Sequence, residues 1–389
     1  MKILLLAPHP FYQERGTPIA VDLLLQAFSE RGDEVDLLTF HEGIDRTYPN
    51  ISIQRINPWP RVTGLRPGFS LKKLHCDFYL FMMLIRQLRK RRYDIIHAVE
   101  ESAFMALLVS RFTAIPFVYD MDSSMVTQML DKFSLLHIIE RPLRYFESLP
   151  MRHASAVIPV CKALADDVSK YRKNNIVILK DVSLVRDAVD NQEEIDDLRE
   201  LCHVKDKLLL YIGNLESYQG IDLLLESFAL VMKKPVSADL VLIGGEDSDI
   251  DSYKNMAVQL GILDHVHFIG KRPVRHINQY MQQADVLVSP RVHGVNTPMK
   301  VYSYLHSGVA VLATDMPTHT QAMSNEIAIL AIPEPKPFAA AMIELLENDE
   351  LRSELGSKAS SFIEKEHSYD AFKFVLYDLY QNLEKQVAK

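Results

Sequence analysis

A chain of 389 residues exceeds what one ordinary hydrophobic core serves, so its length predicts two domains. At 48% hydrophobic and 24% charged, with 14 Gly and 19 Pro, it is neither disordered nor fibrous. The net charge of −8 divides unevenly: residues 1–185 hold 24 Lys+Arg against 20 Asp+Glu, the rest 19 against 31, and a net acidic chain without an aromatic-interleaved basic motif argues against nucleic acid.

The predicted elements begin with a buried strand at 2–7. The run breaks at Pro8-His9-Pro10, too early for a signal peptide. After a loop, Thr17 can cap a helix with Pro18 at its first position, and Ala20, Val21, Leu24, Leu25 and Phe28 recur at helical spacing. Gly32 stops that helix before a strand at 34–40. Further strands are expected at 94–98, 116–120, 156–160 and 176–179, each beside a helical pattern. The polar stretch Asp187 to Asp206 reads as the crossing into a second domain, where strands recur at 208–213, 240–244, 266–270, 286–289, 309–314 and 327–331. The last segment, 369–383, reads as a helix with aromatic positions suited to docking. Strand–helix alternation in both halves predicts an α/β chain with parallel sheets covered on both faces.

Two stretches carry other chemistry. Arg55 to Arg92 holds ten Lys or Arg and one acid, Asp77. Within it an apolar stripe at helical spacing (Leu74, Phe78, Phe81, Met82, Ile85) precedes Arg86, Arg89, Lys90, Arg91 and Arg92. It is either a basic surface for anionic lipid or a core helix ending in cations that suit its dipole. Cys76, Cys161 and Cys202 form no disulfide framework and no C-x-x-C pair, and the longest uncharged apolar stretch, 78–85, is too short to span a membrane. Those features predict a cytoplasmic protein.

The loop 8–18 has a single glycine, Gly16, so a G-x-G-x-x-G dinucleotide turn is lacking and a nicotinamide or flavin enzyme is disfavoured. Gly16 at a helix start permits close approach of an anion or is a plain loop glycine. The most specific segment runs from Ser289 to Gly308, beyond the strand that ends at Ser289, where open parallel sheets place ligands. Thr297-Pro298 reads as a helix start with Gly308 past its end. Free N–H groups near Asn296 and Thr297 would face an anion, and Lys300 would sit in the first turn, a position unfavourable to a cation unless an anion is bound nearby. The alternative is an ordinary helix entry with a solvated Lys.

In order and spacing, the segments Tyr211-Ile212-Gly213-Asn214-Leu215 through Gln219-Gly220-Ile221-Asp222, Leu242-Ile243-Gly244-Gly245, Val266 to Gly270 and Ser289 to Thr314 resemble a retaining glycosyltransferase of family 4 with the GT-B fold, over nearly the whole chain. The resemblance implies two Rossmann-like domains facing each other across a cleft: 1–186 for the acceptor, 187–368 for a nucleotide-sugar, and a helix at 369–389 packing back on the first domain. It implies transfer of a sugar from a nucleotide-sugar to a hydroxyl acceptor by a metal-independent, hexosyltransferase-like enzyme without cofactor, in surface glycan or glycolipid biosynthesis. A glycan or lipid-linked acceptor and an anionic membrane surface are the expected partners, with the protein peripheral on the inner face of the membrane. The alternatives are a sugar-nucleotide 2-epimerase and a degenerate chain that binds carbohydrate or a partner without catalysis.

This sequence departs from the family's pattern. The E-x(7)-E pair falls on Val295 and Ser303, or on His293 and Val301, depending on the alignment, and the phosphate-binding Arg and Lys fall on Asn214 and Gln219. Arg291, Lys300, Lys271 and Arg272 are the available replacement cations, Arg291 first because a guanidinium holds phosphate oxygens bidentately. Ser303 is left as a weak ribose contact. The family's acceptor-side His aligns with Asp122, an acceptor-hydroxyl contact or a helix cap in competition with Ser123 and Ser124. Asp247-Ser248-Asp249 imitates a D-x-D metal motif but sits where acids suit a helix dipole. The expected donor-binding set is therefore Gly16, Asn214, Gln219, Arg291, Asn296, Thr297, Lys300 and Ser303, with Asp122 catalytic.

Overall fold

The computed structural model describes residues 1–13, 16–65, 70–183, 195–294 and 297–387, and divides the chain into two compact units: 1–180 with 372–389, and 181–371. Asn296 and residues 184–194 lie outside the described residues.

The first unit holds one parallel sheet of six strands, β1 (Lys2–Ala7), β2 (Glu34–Thr39), β3 (Ile51–Arg55), β4 (Ile95–Val99), β5 (Phe117–Met121) and β6 (Ala156–Pro159), in the order β3-β2-β1-β4-β5-β6. In β1, Ile3 to Ala7 are wholly buried, as expected of a strand covered on both faces. β3 lies at the sheet's edge and is only half-buried, which is why its short alternating run escaped the sequence reading. The strand expected at 176–179 reduces to a single bridge between Val157 and Ile176. The helix expected to start from a Thr17 cap begins at Gly16.

The C-terminal helix, Tyr369–Val387, contributes its residues from Phe372 onward to this unit. Tyr377 donates to the carbonyl of Ala27 at 2.9 Å, and the Tyr380 ring stands 4.8 Å edge-on to Phe28. The Tyr380 hydroxyl shares a 2.6 Å hydrogen bond with His97 Nδ1, whose Nε2 lies 3.1 Å from Asp120. His97 is thus a satisfied core histidine.

The second unit repeats the plan with β7 (Lys207–Ile212), β8 (Ala238–Ile243), β9 (Val266–Gly270), β10 (Val286–Ser289), β11 (Ala310–Thr314) and β12 (Ile329–Ala331), in the order β12-β11-β10-β7-β8-β9. Successive β7 side chains enter opposite cores: Leu209 and Tyr211 pack on one face, Leu208, Leu210 and Ile212 on the other. The chain winds outward from β7 through β9, returns at β10 and winds the other way. The β7–β10 junction is therefore the sheet's topological switch point, the place where strand carboxyl ends open a crevice for ligands.

Candidate donor site at the switch point

The loops after β7 and β10 meet because two glycines allow it. Gly220 has φ +75°, and a Cβ there would run into the carbonyl oxygen of Pro290. Val292 N–H then donates to the Tyr218 carbonyl at 3.1 Å, joining the two loops. At Gly213 (φ +157°) an added Cβ would lie 2.9 Å from both Lys300 Nζ and the Tyr211 hydroxyl. The bare backbone leaves that space to the ammonium.

Lys300 stands in the first turn of the helix Met299–His306. Its Nζ lies 3.3 Å from Gln219 Oε1 and 4.0 Å from the centroid of the Tyr211 ring. Tyr304 from the same helix pins it to β7: its hydroxyl accepts from Ile212 N–H at 2.7 Å and donates to the Ile212 carbonyl at 3.1 Å. Arg291 donates through Nε to the His293 carbonyl at 2.7 Å and lays its guanidinium 5.1 Å from the Tyr218 ring centroid. The Cβ-less Gly294 makes room for that guanidinium. Among the described residues no carboxylate pairs with Lys300 or Arg291. Burial, then repulsion by Arg291, holds the Lys300 ammonium well below the usual lysine range, and burial pulls Arg291 down as well. Two half-buried cations thus converge without a counter-charge.

His319 completes the floor. It is wholly buried, with Nδ1 2.9 Å from the Thr314 carbonyl and Nε2 2.9 Å from the Ser289 hydroxyl. A carbonyl only accepts, so Nδ1 carries the proton and Ser289 donates to Nε2. Burial foremost, aided by Lys300 and Arg291, pushes its pKa down to about 4.

The expected residues fall out unevenly. Gln219, Lys300 and Arg291 come together around Tyr211 and Tyr218. Asn214 is exposed beside them, its Nδ2 donating to the Tyr218 hydroxyl at 3.1 Å and its carbonyl accepting from Tyr211 at 2.6 Å. Thr297 does not cap the helix. Pro298 holds the N-cap position, and the buried Thr297 Oγ1 makes no hydrogen bond with any described residue. Ser303 is buried in the same helix. Lys271 and Arg272 are engaged elsewhere, with Glu246 at 2.6 Å and Asp196 at 3.1 Å. Tyr211, Tyr218, Ser289, Thr314 and His319 were not anticipated. Ser289 and Thr314 end β10 and β11, so their position at strand carboxyl ends was the available signal.

Gly16 belongs to the first unit and opens a helix, with nothing within 4 Å of an added Cβ. Asp122 also belongs there, half-buried in the bend after β5. Ser124 takes the cap of the helix Met125–Lys132, accepting from Thr127 N–H at 3.2 Å. Nearby, Glu100 follows β4 with φ +53°, its carboxyl oxygens 3.0 Å from Ser123 Oγ. Burial, then repulsion by Glu101, raises it to about 8. Asp247 and Asp249 lie in the first turn of the helix Asp247–Leu260, and among the described residues no group of three or more His, Cys, Asp or Glu is placed to hold a metal.

Residues 15–180 match the model of Glycosyltransferase Family 4, and residues 193–362 that of Glycosyl transferases group 1. A phosphatidyl-myo-inositol mannosyltransferase of Mycolicibacterium smegmatis is 25% identical over 168 residues, 42% of this chain and 42% of that protein. The match thus spans about two fifths of that relative's length. An uncharacterized glycosyltransferase of Methanocaldococcus jannaschii is 19% identical over 342 residues, 83% of this chain and 80% of its own. The crystal structure of Anabaena HepE in complex with UDP superposes with a TM-score of 0.75 at 16% identity, covering 98% of this chain and 100% of that one. With both halves matched by glycosyltransferase models and the GT-B fold shared along its length, the chain belongs to the family 4 type of glycosyltransferases.

Proposed function

We propose that the second unit binds the diphosphate of a nucleotide-sugar at Lys300 and Arg291, and that the enzyme passes the sugar to a hydroxyl acceptor, a glycan or a lipid-linked sugar of surface glycan biosynthesis. The observation that carries this reading is the pair of half-buried cations at the β7–β10 switch point that have no carboxylate partner among the described residues. A bound diphosphate supplies the missing counter-charge. As the bond from the anomeric carbon to phosphate breaks and the acceptor oxygen bonds to that carbon, negative charge grows on the leaving oxygen, where the two cations stabilise it, and the acceptor's proton passes to the departing diphosphate. Arg291 suits two phosphate oxygens at once, and the ammonium of Lys300 serves as a point charge. Neutral His319 adds no further charge, and its Nδ1–H holds the Thr314 carbonyl. Thr297 Oγ1, buried and without a hydrogen bond to any described residue, is a further hydroxyl for the ligand. Asn214, Gln219 and Ser303 surround it as uncharged hydrogen-bonding groups, and Asn296 and Gly16 remain donor contacts proposed from the sequence.

On the acceptor side, Asp122 takes the hydrogen bond of the incoming hydroxyl from its bend beyond β5. UDP is the first nucleotide to test, because the HepE structure holds UDP. No described helix is long and apolar enough to cross a membrane. We place the enzyme peripherally at the cytoplasmic face of an anionic membrane, held by the basic stretch Arg55 to Arg92. The deciding experiment is calorimetric titration of UDP and GDP, with donor hydrolysis across a panel of nucleotide-sugars. Absence of binding by both nucleotides and of any turnover would leave a carbohydrate-binding chain without catalysis.

A further inference from the structure

The helix Leu71–Lys90 faces its core with Cys76, Leu80, Leu84 and Gln87. Of the stripe read from the sequence, Phe81 and Ile85 are half-buried against that core, whereas Leu74, Phe78 and Met82 lie on the other side. Leu71, Leu74, Phe78 and Met82 are 80%, 55%, 61% and 52% exposed. Their spacing of three, four and four residues sets them in one row along about 17 Å of helix. The row continues at the same spacing into exposed Arg86, followed by exposed Arg89 and Lys90. Trp59, 82% exposed, is tied to the same helix: Tyr79 donates to its carbonyl at 2.9 Å, and His75 Nε2 bonds the Pro60 carbonyl at 3.2 Å. Isolated exposed apolar residues are ordinary, whereas four in a row with an adjoining Trp and a basic end are a docking face.

The charge identifies the occupant. Arg55, Lys73 and Arg91 pair with Asp45, Glu101, Glu34 and Asp36, but Arg61, Lys72, Arg86, Arg89, Lys90 and Arg92 are exposed and would meet the same excess on a second copy of this chain, whereas an anionic bilayer offers the opposite sign. We propose that Leu71, Leu74, Phe78, Met82 and Trp59 insert at the headgroup–acyl boundary of an anionic bilayer, with Arg86, Arg89 and Lys90 among the headgroups. The inference rests on the peripheral-membrane reading above and deepens it from adsorption by charge to insertion by named apolar side chains.

Trp59 is the protein's one tryptophan, so its emission reports this face alone. The full chain is titrated with phosphatidylcholine vesicles with and without phosphatidylglycerol, some carrying brominated acyl chains, at low and high salt. Insertion predicts a blue shift with anionic vesicles, quenching by the brominated chains, and binding that partly survives high salt. Leu74→Ser with Phe78→Ser should lower the vesicle-bound fraction roughly tenfold or more, the loss expected when large apolar side chains forfeit burial. Both positions are exposed, so the thermal midpoint should hold and show that the fold is intact. Sedimentation with vesicles that salt abolishes, with an unchanged Trp59 spectrum, would overturn insertion and leave the peripheral reading standing. No vesicle binding at low salt would overturn both. A blue shift that grows with protein concentration in the absence of lipid would assign the face to a second copy and overturn the proposal.

Discussion

Lys300 Nζ lies 4.0 Å from the centroid of the Tyr211 ring and 3.3 Å from Gln219 Oε1, and neither partner carries a formal charge. A ring face and an amide oxygen solvate an ammonium only in part. The cost of holding the cation there is visible in its lowered proton affinity, to which neighbouring Arg291 adds. On the proposed reading, an arriving diphosphate would remove that cost.

Lys300→Gln and Arg291→Ala should therefore weaken nucleotide binding without unfolding the second unit. For Arg291→Ala the expected loss is about 1.5–3 kcal/mol, the range of a charge-assisted hydrogen bond. Titration calorimetry with UDP and GDP reads it directly. Unchanged affinity in either variant would take that residue out of the site.

His319 makes stability depend on acid. Its folded pKa of about 4 lies below the ordinary 6.5, so the unfolded chain takes up the proton first. Stability should rise with pH between about 4 and 6.5 and be flat above that range for this group, a total of about 3 kcal/mol if the whole shift is realised. Urea midpoints measured across this range should show the slope in the parent and a flatter one in His319→Gln. Equal slopes would mean that His319 does not carry it.

Two glycines with the same φ separate strain from collision. Gly308→Ala, at φ +75° with nothing within 4 Å of the new Cβ, should cost about 1 kcal/mol. Gly220→Ala has the same φ, but its Cβ meets the Pro290 carbonyl, so it should cost about 2–4 kcal/mol and weaken nucleotide binding by parting the two loops. Thermal midpoints compared between the two variants test the distinction.

Chelation tests the acidic run. Asp247 and Asp249 occupy a helix first turn, where carboxylates suit the positive dipole end. Donor turnover should persist in EDTA. Full loss, restored by Mn²⁺ or Mg²⁺, would assign these acids or others to a metal.

Most of the strands were legible along the chain, half-buried β3 excepted, because parallel strands covered on both faces must be apolar runs, as Ile3 to Ala7 and Leu208 to Ile212 are. The Ser289 to Gly308 segment could be marked as a candidate ligand site because it leaves a strand's carboxyl end and enters a helix. Long-range geometry was not legible. That Lys300 reaches Gln219, 81 positions away, depends on the bare Gly213 backbone and on the Tyr304 bonds to Ile212. That Asp122 leaves the cap to Ser124 depends on one hydroxyl's reach to the Thr127 N–H. The 71–90 stripe shows the limit most plainly. Helical spacing established that Leu74, Phe78 and Met82 share a face, but which face of an amphipathic helix meets the core is decided by the partners that pack on it. Here the core took Cys76, Leu80 and Leu84 and left the larger apolar row to the surface.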